Sequence, residues 1–254
     1  MIPHYSRSGD GPVLILLHAT LSASRQLRAL ASRLAGRYTV VSVDRRGSGR
    51  SATEGPAQPI GVATHIEDLA SIMAAEDLGP ALVVGHSYGG CIALELAARR
   101  PELVSGVFGY EPPYLLLASP ESQAHMAEVV RRMLAANEQG DLETAALTFM
   151  EGVSGPQAVA ALSPAARARI GRAGQGAVSD ATLLGMDPDG LSRIDRPVRI
   201  CTGGASGPLY AEIAEAIVER IGSAEHQRLE GLDHMAPITR PDVVADAIES
   251  WAQR

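Results

Sequence analysis

Residues 83–90 read Val83-Val84-Gly85-His86-Ser87-Tyr88-Gly89-Gly90, an apolar run that enters Gly-x-Ser-x-Gly and gives way to a helical pattern from Cys91 to Arg99. A strand that turns sharply into a helix forces strained backbone angles on its hinge residue, so positions where chain approaches chain must be small. Gly85 and Gly89 meet that steric demand, and Ser87 is set to project beyond the strand end. A serine hydroxyl is a weak nucleophile at neutral pH; here it needs a base to take its proton and donors to hold the developing oxyanion.

Working outward, short apolar runs at Val13–Leu17, Thr39–Val43, Ala81–Val84, Val104–Tyr110 and Val198–Thr202 are rich in Val, Leu and Ile. They lack polar alternation, as parallel strands buried on both faces do. Helical segments separate them. Thr64 and Glu67 are spaced as a capping box, and Ile66, Leu69, Ile72 and Met73 then recur at helical spacing until Gly79-Pro80. After Pro241, Val243, Val244, Ala247, Ile248 and Trp251 share one helix face. The pattern predicts an α/β fold with a mostly parallel central sheet flanked by helices.

From Pro112 to about Asp195 the alternation lapses. Ser119-Pro120 and Ser163-Pro164 read as helix starts, and Gly140 and Gly152 as stops, with no convincing strand between them. The expected layout is a core formed by residues 1–111 and 196–254, with a helical cap insertion at residues 112–195.

The chain has 254 residues, 46% of them apolar and 20% charged, enough for one large core. A net charge of -7 and the absence of a Lys/Arg-rich run argue against nucleic acid or an anionic membrane as partner. A neutral or weakly polar small molecule is the expected ligand, and a homodimer is compatible with this reading. The longest apolar run near the N-terminus is too short to span a membrane and follows no basic segment, so a cytoplasmic location is expected. Cys91 and Cys201 read as small buried thiols, leaving neither a disulfide framework nor a metal ligand set.

Among the seven histidines, His234 is the best-placed base, since it follows the apparent last strand and precedes the last helix. His86 adjoins the serine but points elsewhere on the turn. His18-Ala19-Thr20 follows the strand at residues 13–17, where a loop can aim the Thr20 N–H at the site as one oxyanion donor. The N–H of Tyr88, just after the serine, would be the other.

These segments together resemble the α/β-hydrolase superfamily: Leu16-Leu17-His18-Ala19, then Val43-Asp44-Arg45-Arg46-Gly47-Ser48-Gly49-Arg50-Ser51, the turn at Ser87, and Gly231-Leu232-Asp233-His234. Within it the chain is most similar to small bacterial esterases and enol-lactone hydrolases. Its layout is also similar to haloalkane dehalogenases and epoxide hydrolases, whose carboxylate nucleophile Ser87 replaces. Two departures stand out. Ala19 sits where the family usually carries Gly, and residues 203–211 offer no carboxylate where the family usually places its acid. Members lacking that acid can carry it at the end of the strand following the nucleophile helix, and the resemblance therefore implies Glu111 as the partner of His234. Asp233 is the weaker rival.

The leading expectation is acyl transfer to water on an ester or lactone: Ser87 attacks, His234 accepts its proton, Glu111 orients the imidazole, and the Thr20 and Tyr88 amides hold the oxyanion. No metal or cofactor is needed. Tyr88, Tyr114, Met126, Met150 and Met235 are the expected lining of a mostly apolar pocket. The same residues would serve a carbon–carbon bond hydrolase, thioesterase or perhydrolase. A different class, a small-molecule receptor with little turnover, is kept open by the missing usual acid.

Overall fold

The computed structural model describes residues 2–53 and 57–253; the outermost residues of the expected core, and residues 54–56, lie outside the described residues. Seven strands form one sheet: β1 (Tyr5–Ser8), β2 (Val13–Leu17), β3 (Thr39–Val43), β4 (Ala81–His86), β5 (Val104–Tyr110), β6 (Val198–Gly203) and β7 (Ala224–Leu229). Their spatial order is β1-β3-β2-β4-β5-β6-β7, with β1 antiparallel to β3 and the other pairs parallel. The helices are α1 (Arg28–Leu34), α2 (Val62–Ala75), α3 (Tyr88–Arg99), α4 (Pro120–Glu138), α5 (Leu142–Ser154), α6 (Pro156–Ala160), α7 (Pro164–Gly171), α8 (Gly174–Ser179), α9 (Pro208–Ile221), α10 (Ala236–Thr239) and α11 (Pro241–Ala252).

Successive strand residues feed opposite faces of the sheet. Ile15, Leu17, Val41, Val83 and Val107 join one core with α2, α3 and α9, whereas Leu14, Leu16, Val40, Val84 and Phe108 join a second with α1 and α11. Burial on both faces explains why these strands read as unbroken apolar runs. Strand β1 carries no such run; its Tyr-Arg and Ser-Ser faces lie at a sheet edge and are mostly exposed, so periodicity could not reveal it.

Local signals fared unevenly. Ser119 and Ser163 cap α4 and α7 by accepting from the N–H of Ser122 and Ala166. The Thr64 and Glu67 box does not form, because α2 already begins at Val62 behind Gly61. The same helix ends at Ala75 rather than at Gly79: Asp77 takes φ 50°, and the Leu78 N–H donates to Met73 O at 2.9 Å.

Between β5 and β6 the described residues hold α4 to α8 and short 3-10 turns, with no strand. Gly140, at φ 76°, follows the end of α4, but Gly152 does not stop α5. It lies inside that helix because α5 presses on α4, where a Cβ at residue 152 would sit 2.4 Å from Val129 Cγ2. The stop falls instead at Gly155, at φ 82°. Replacing Gly152 by Ala should therefore destabilise the protein by about 1–3 kcal/mol through overpacking against a stiff β-branched side chain. Thermal melts should show Gly152→Ala below wild type and the Gly152→Ala/Val129→Ala pair less destabilised than the sum of its single changes; additive losses would assign the cost elsewhere.

Candidate functional site

Strand β4 delivers Ser87 at its C-terminal end, where the residue adopts φ 53° and ψ -123° as the cap of α3. Such a conformation typically costs about 1–3 kcal/mol and persists only where the surroundings over-determine it. Here the Ser87 N–H donates to Tyr110 O at 2.8 Å, and the Gly90 N–H returns to Ser87 O at 2.7 Å. The flanking glycines are steric necessities. A Cβ on Gly85 would lie 2.3 Å from Gly89 O, and one on Gly89 would lie 2.6 Å from Leu17 O and 2.8 Å from His18 O. Tyr88 opens the helix, and the first N–H groups of a helix have no partner within it.

Glu111 leaves β5 at φ 50° and is wholly buried. Its Oε1 accepts the Gly203 N–H at 2.7 Å and its Oε2 lies 2.6 Å from His234 Nδ1. Both oxygens acting as acceptors is the pattern of an ionised carboxylate, which places the imidazole proton on Nδ1 and leaves Nε2 as the open lone pair. Asp233 does not compete for this position: its Oδ1 accepts the Met235 N–H at 2.9 Å. The loop where the family pattern usually carries an acid instead contributes the Gly203 N–H to Glu111.

Three further contacts orient His234. The His86 Nε2–H donates to His234 O at 2.8 Å, and the Tyr110 hydroxyl donates to Asp233 O at 2.8 Å. Tyr210, from the first turn of α9, stacks on the imidazole with ring centroids 4.7 Å apart and planes 13° apart. Burial, and then the Glu111 carboxylate, push its phenol up from the usual tyrosine range, so it stays neutral. Nothing in the sequence singled Tyr210 out, since a lone tyrosine after a run of small residues has no pattern.

On the other side of Ser87, the loop after β2 is held by Arg45, itself only 2% exposed. Arg45 Nε donates to His18 O at 3.2 Å and Nη2 to Ala19 O at 3.2 Å. Its charge is met by Asp180, 0% exposed, through bonds of 2.6 and 2.8 Å; Asp180 Oδ2 also accepts the Thr20 hydroxyl at 2.8 Å. His18 is a structural residue: Nδ1–H donates to Ala19 O at 2.8 Å while Nε2 accepts the Arg45 N–H at 3.1 Å. Ala19 has no positive φ, so the methyl group in place of the family's glycine is accommodated without backbone strain.

The expected apolar lining is only partly exposed to the site. Tyr114 is fully buried behind α3, its hydroxyl donating to Glu95 Oε1 at 3.1 Å, because the turn at Pro112 and Pro113 folds it back onto the core. Met126 packs with Val129, Val130 and Met133 on the inner face of α4. Met150 is half-buried, and Met235, beside the imidazole, is 43% exposed. The side chain of Tyr88 is buried, with its hydroxyl 3.3 Å from Thr182 Oγ1. Ser87 is buried, with 8% exposure. No helix among the described residues is long and apolar enough to cross a membrane.

Residues 14–247 match the sequence model of the alpha/beta hydrolase family. A solved alpha/beta hydrolase from Sphaerobacter thermophilus is 29% identical, with a TM-score of 0.76 over 96% of this chain and 95% of that one. The 2-(acetamidomethylene)succinate hydrolase of Mesorhizobium japonicum is 32% identical over 42% of this chain and 38% of that protein. Lipase LipV of Mycobacterium tuberculosis is 33% identical over 54% of this chain and 50% of its own length. The chain thus spans half or less of the length of these curated relatives.

Three buried histidines surround this site, and all are held neutral. Burial, then the Arg45 charge, lowers His65 to about 4 and His18 well below its usual value; burial, then His234, does the same to His86. The unfolded chain protonates these rings near pH 6.5 and the folded chain only further down, so folding stability is full above that pH and falls as pH drops from about 6.5 toward 4. Melting temperature should decline over that window, and His65→Gln should flatten the decline relative to its own neutral-pH value. An unchanged pH slope in the variant would show that His65 is not protonated on unfolding.

Proposed function

The chain belongs to the alpha/beta hydrolase family, and from that premise we propose that it is a serine hydrolase acting on a small, mostly hydrophobic carboxylic ester or lactone through an acyl-enzyme on Ser87. The observation that carries the reading is the 2.6 Å hydrogen bond between His234 Nδ1 and the buried Glu111 carboxylate, which leaves Nε2 as the open lone pair on an imidazole whose centroid lies 4.9 Å from that of His86, the residue before Ser87. In this mechanism His234 takes the Ser87 proton as the oxygen attacks the carbonyl carbon, and Glu111 stabilises the imidazolium that forms. The proton then passes to the departing alcohol oxygen, and His234 next activates the water that cleaves the acyl-enzyme.

The Tyr88 N–H and an N–H of the loop at Ala19 and Thr20 hold the tetrahedral oxyanion; one such donor is typically worth about 2.7–4 kcal/mol in the transition state. A neutral, mostly apolar substrate fits the electrostatics, because the chain carries a net charge of -7 and the Arg45 guanidinium beside Tyr88 is already neutralised by Asp180.

Turnover of short-chain p-nitrophenyl esters and simple lactones by the purified protein tests this directly. Ser87→Ala should lower kcat on the order of 10⁶-fold and Glu111→Gln about 10⁴-fold, each with a smaller change in KM. Near-normal turnover in Glu111→Gln would remove Glu111 from the mechanism. A wild-type protein inert toward all esters and lactones would overturn the acyl-transfer reading.

A further inference from the structure

The oxyanion loop is tied to a residue from the helical segment between β5 and β6. In a trans peptide the C=O of one residue and the N–H of the next point in opposite directions. The carbonyls of His18 and Ala19 both accept from the Arg45 guanidinium, and Ala19 O also accepts from His18 Nδ1. The N–H groups of Ala19 and Thr20 therefore face away from Arg45. The loop that carries them abuts the first turn of α3, where Gly89 leaves no room for a Cβ against Leu17 O and His18 O.

The guanidinium can hold both carbonyls only while its own position is fixed. That position is set by Asp180, which grips Arg45 with both carboxylate oxygens and accepts the Thr20 hydroxyl as well. Asp180 begins a 3-10 turn, Asp180–Gly185, that follows α8. This stretch is itself locked onto the core: the Ile60 N–H donates to Ser179 O at 2.8 Å, Thr182 Oγ1 donates to Ile60 O at 2.8 Å, and Gln175 brackets Thr53 through bonds of 2.6 and 2.7 Å. Gly47 faces the same stretch, and a Cβ there would lie 2.1 Å from Ser179 Oγ.

We propose that Asp180 is a positioning residue for the oxyanion donors, acting through Arg45, so that docking of the helical segment and presentation of the Ala19 and Thr20 amides are one event. The catalytic consequence rests on the serine-hydrolase reading above; the structural coupling does not. Asp180 touches no reacting atom. Its charge keeps Arg45 in place, Arg45 keeps two carbonyls turned, and the turned peptides aim their N–H groups.

The test compares Asp180→Asn with Asp68→Asn, which breaks the similarly bidentate Arg46–Asp68 pair (2.6 and 2.7 Å) without touching the oxyanion loop. Two readouts are taken: amide hydrogen exchange over residues 17–22, and kcat and KM on a p-nitrophenyl ester per active site, counted by fluorophosphonate labelling of Ser87. Asp180→Asn should raise exchange in that peptide and lower kcat about 10²-fold with KM changed only a few-fold, as expected for weakened oxyanion donors. Asp68→Asn should do neither. If Asp180→Asn does not fold, Thr20→Val, which removes one bond to Asp180, should show the same exchange signature and a loss of about tenfold in kcat. Wild-type exchange in the loop of either folded variant would overturn the coupling, as would a loss of active sites with unchanged kcat per site. Failure of the wild type to label at Ser87 or to cleave esters would instead count against the serine-hydrolase reading, and the exchange comparison would still decide the role of Asp180.

Discussion

A left-handed backbone conformation at residue 87 is the constraint from which the rest of the site follows. At φ 53° the chain leaves β4 and enters α3 within one residue, and that turn brings backbone to 2.3–2.6 Å of where side chains on the two flanking glycines would be. Serine has a Cβ, so the conformation is strained, and neighbouring strands must enforce it. The bond from Ser87 N–H to Tyr110 O continues the β4–β5 pairing past the strand ends and does so directly beside Glu111. Glu111 shares the same predicament at φ 50°, held by its N–H to Cys201 O. Two strained residues on adjacent strands thus occupy the same end of the sheet, in the arrangement expected of open α/β sheets, whose ligand sites gather at the carboxyl ends of the strands.

Electrostatics inside this end of the molecule is arranged by burial. Glu111 and Asp180 are both wholly buried, and neighbours supply partners to both: an imidazole and a backbone N–H for the first, a guanidinium and a hydroxyl for the second. The buried Arg45–Asp180 ion pair adds little net stability over an apolar replacement, yet losing one member of such a pair typically costs about 3–5 kcal/mol because the other charge is stranded. The geometry it imposes is therefore firmly held. The neutral histidines complete the picture, since His18, His65 and His86 lie too deep to carry charge and act as hydrogen-bonding and packing groups around His234, whose side chain is partly exposed.

Much of this was legible in the sequence, for identifiable reasons. Strands buried on both faces announce themselves as apolar runs, and a sharp strand-to-helix turn announces itself through glycines that sterics require. Helix starts at Ser119-Pro120 and Ser163-Pro164 were readable because capping is local chemistry. Signals failed where tertiary contact overrode them. Gly152 reads as a helix stop but is a packing glycine facing Val129, Tyr114 reads as pocket lining but folds behind α3, and β1 has no apolar pattern because it lies at an edge.

The sequence by itself determined the parallel sheet and the sharp turn at Ser87, because each depends on residues within one element or on the alternation of elements along the chain. Glu111 was reachable only by resemblance; no local rule marks a strand-end glutamate. The partners that orient the site could be decided only by the tertiary structure. Tyr210 stacks on His234 from 24 positions away, and Asp180 reaches Arg45 across 135. Such pairs join side chains whose separation in sequence carries no periodicity and whose chemistry, a phenol or a carboxylate, is shared with many surface residues. What sets them apart is burial, and burial is a property of the assembled fold.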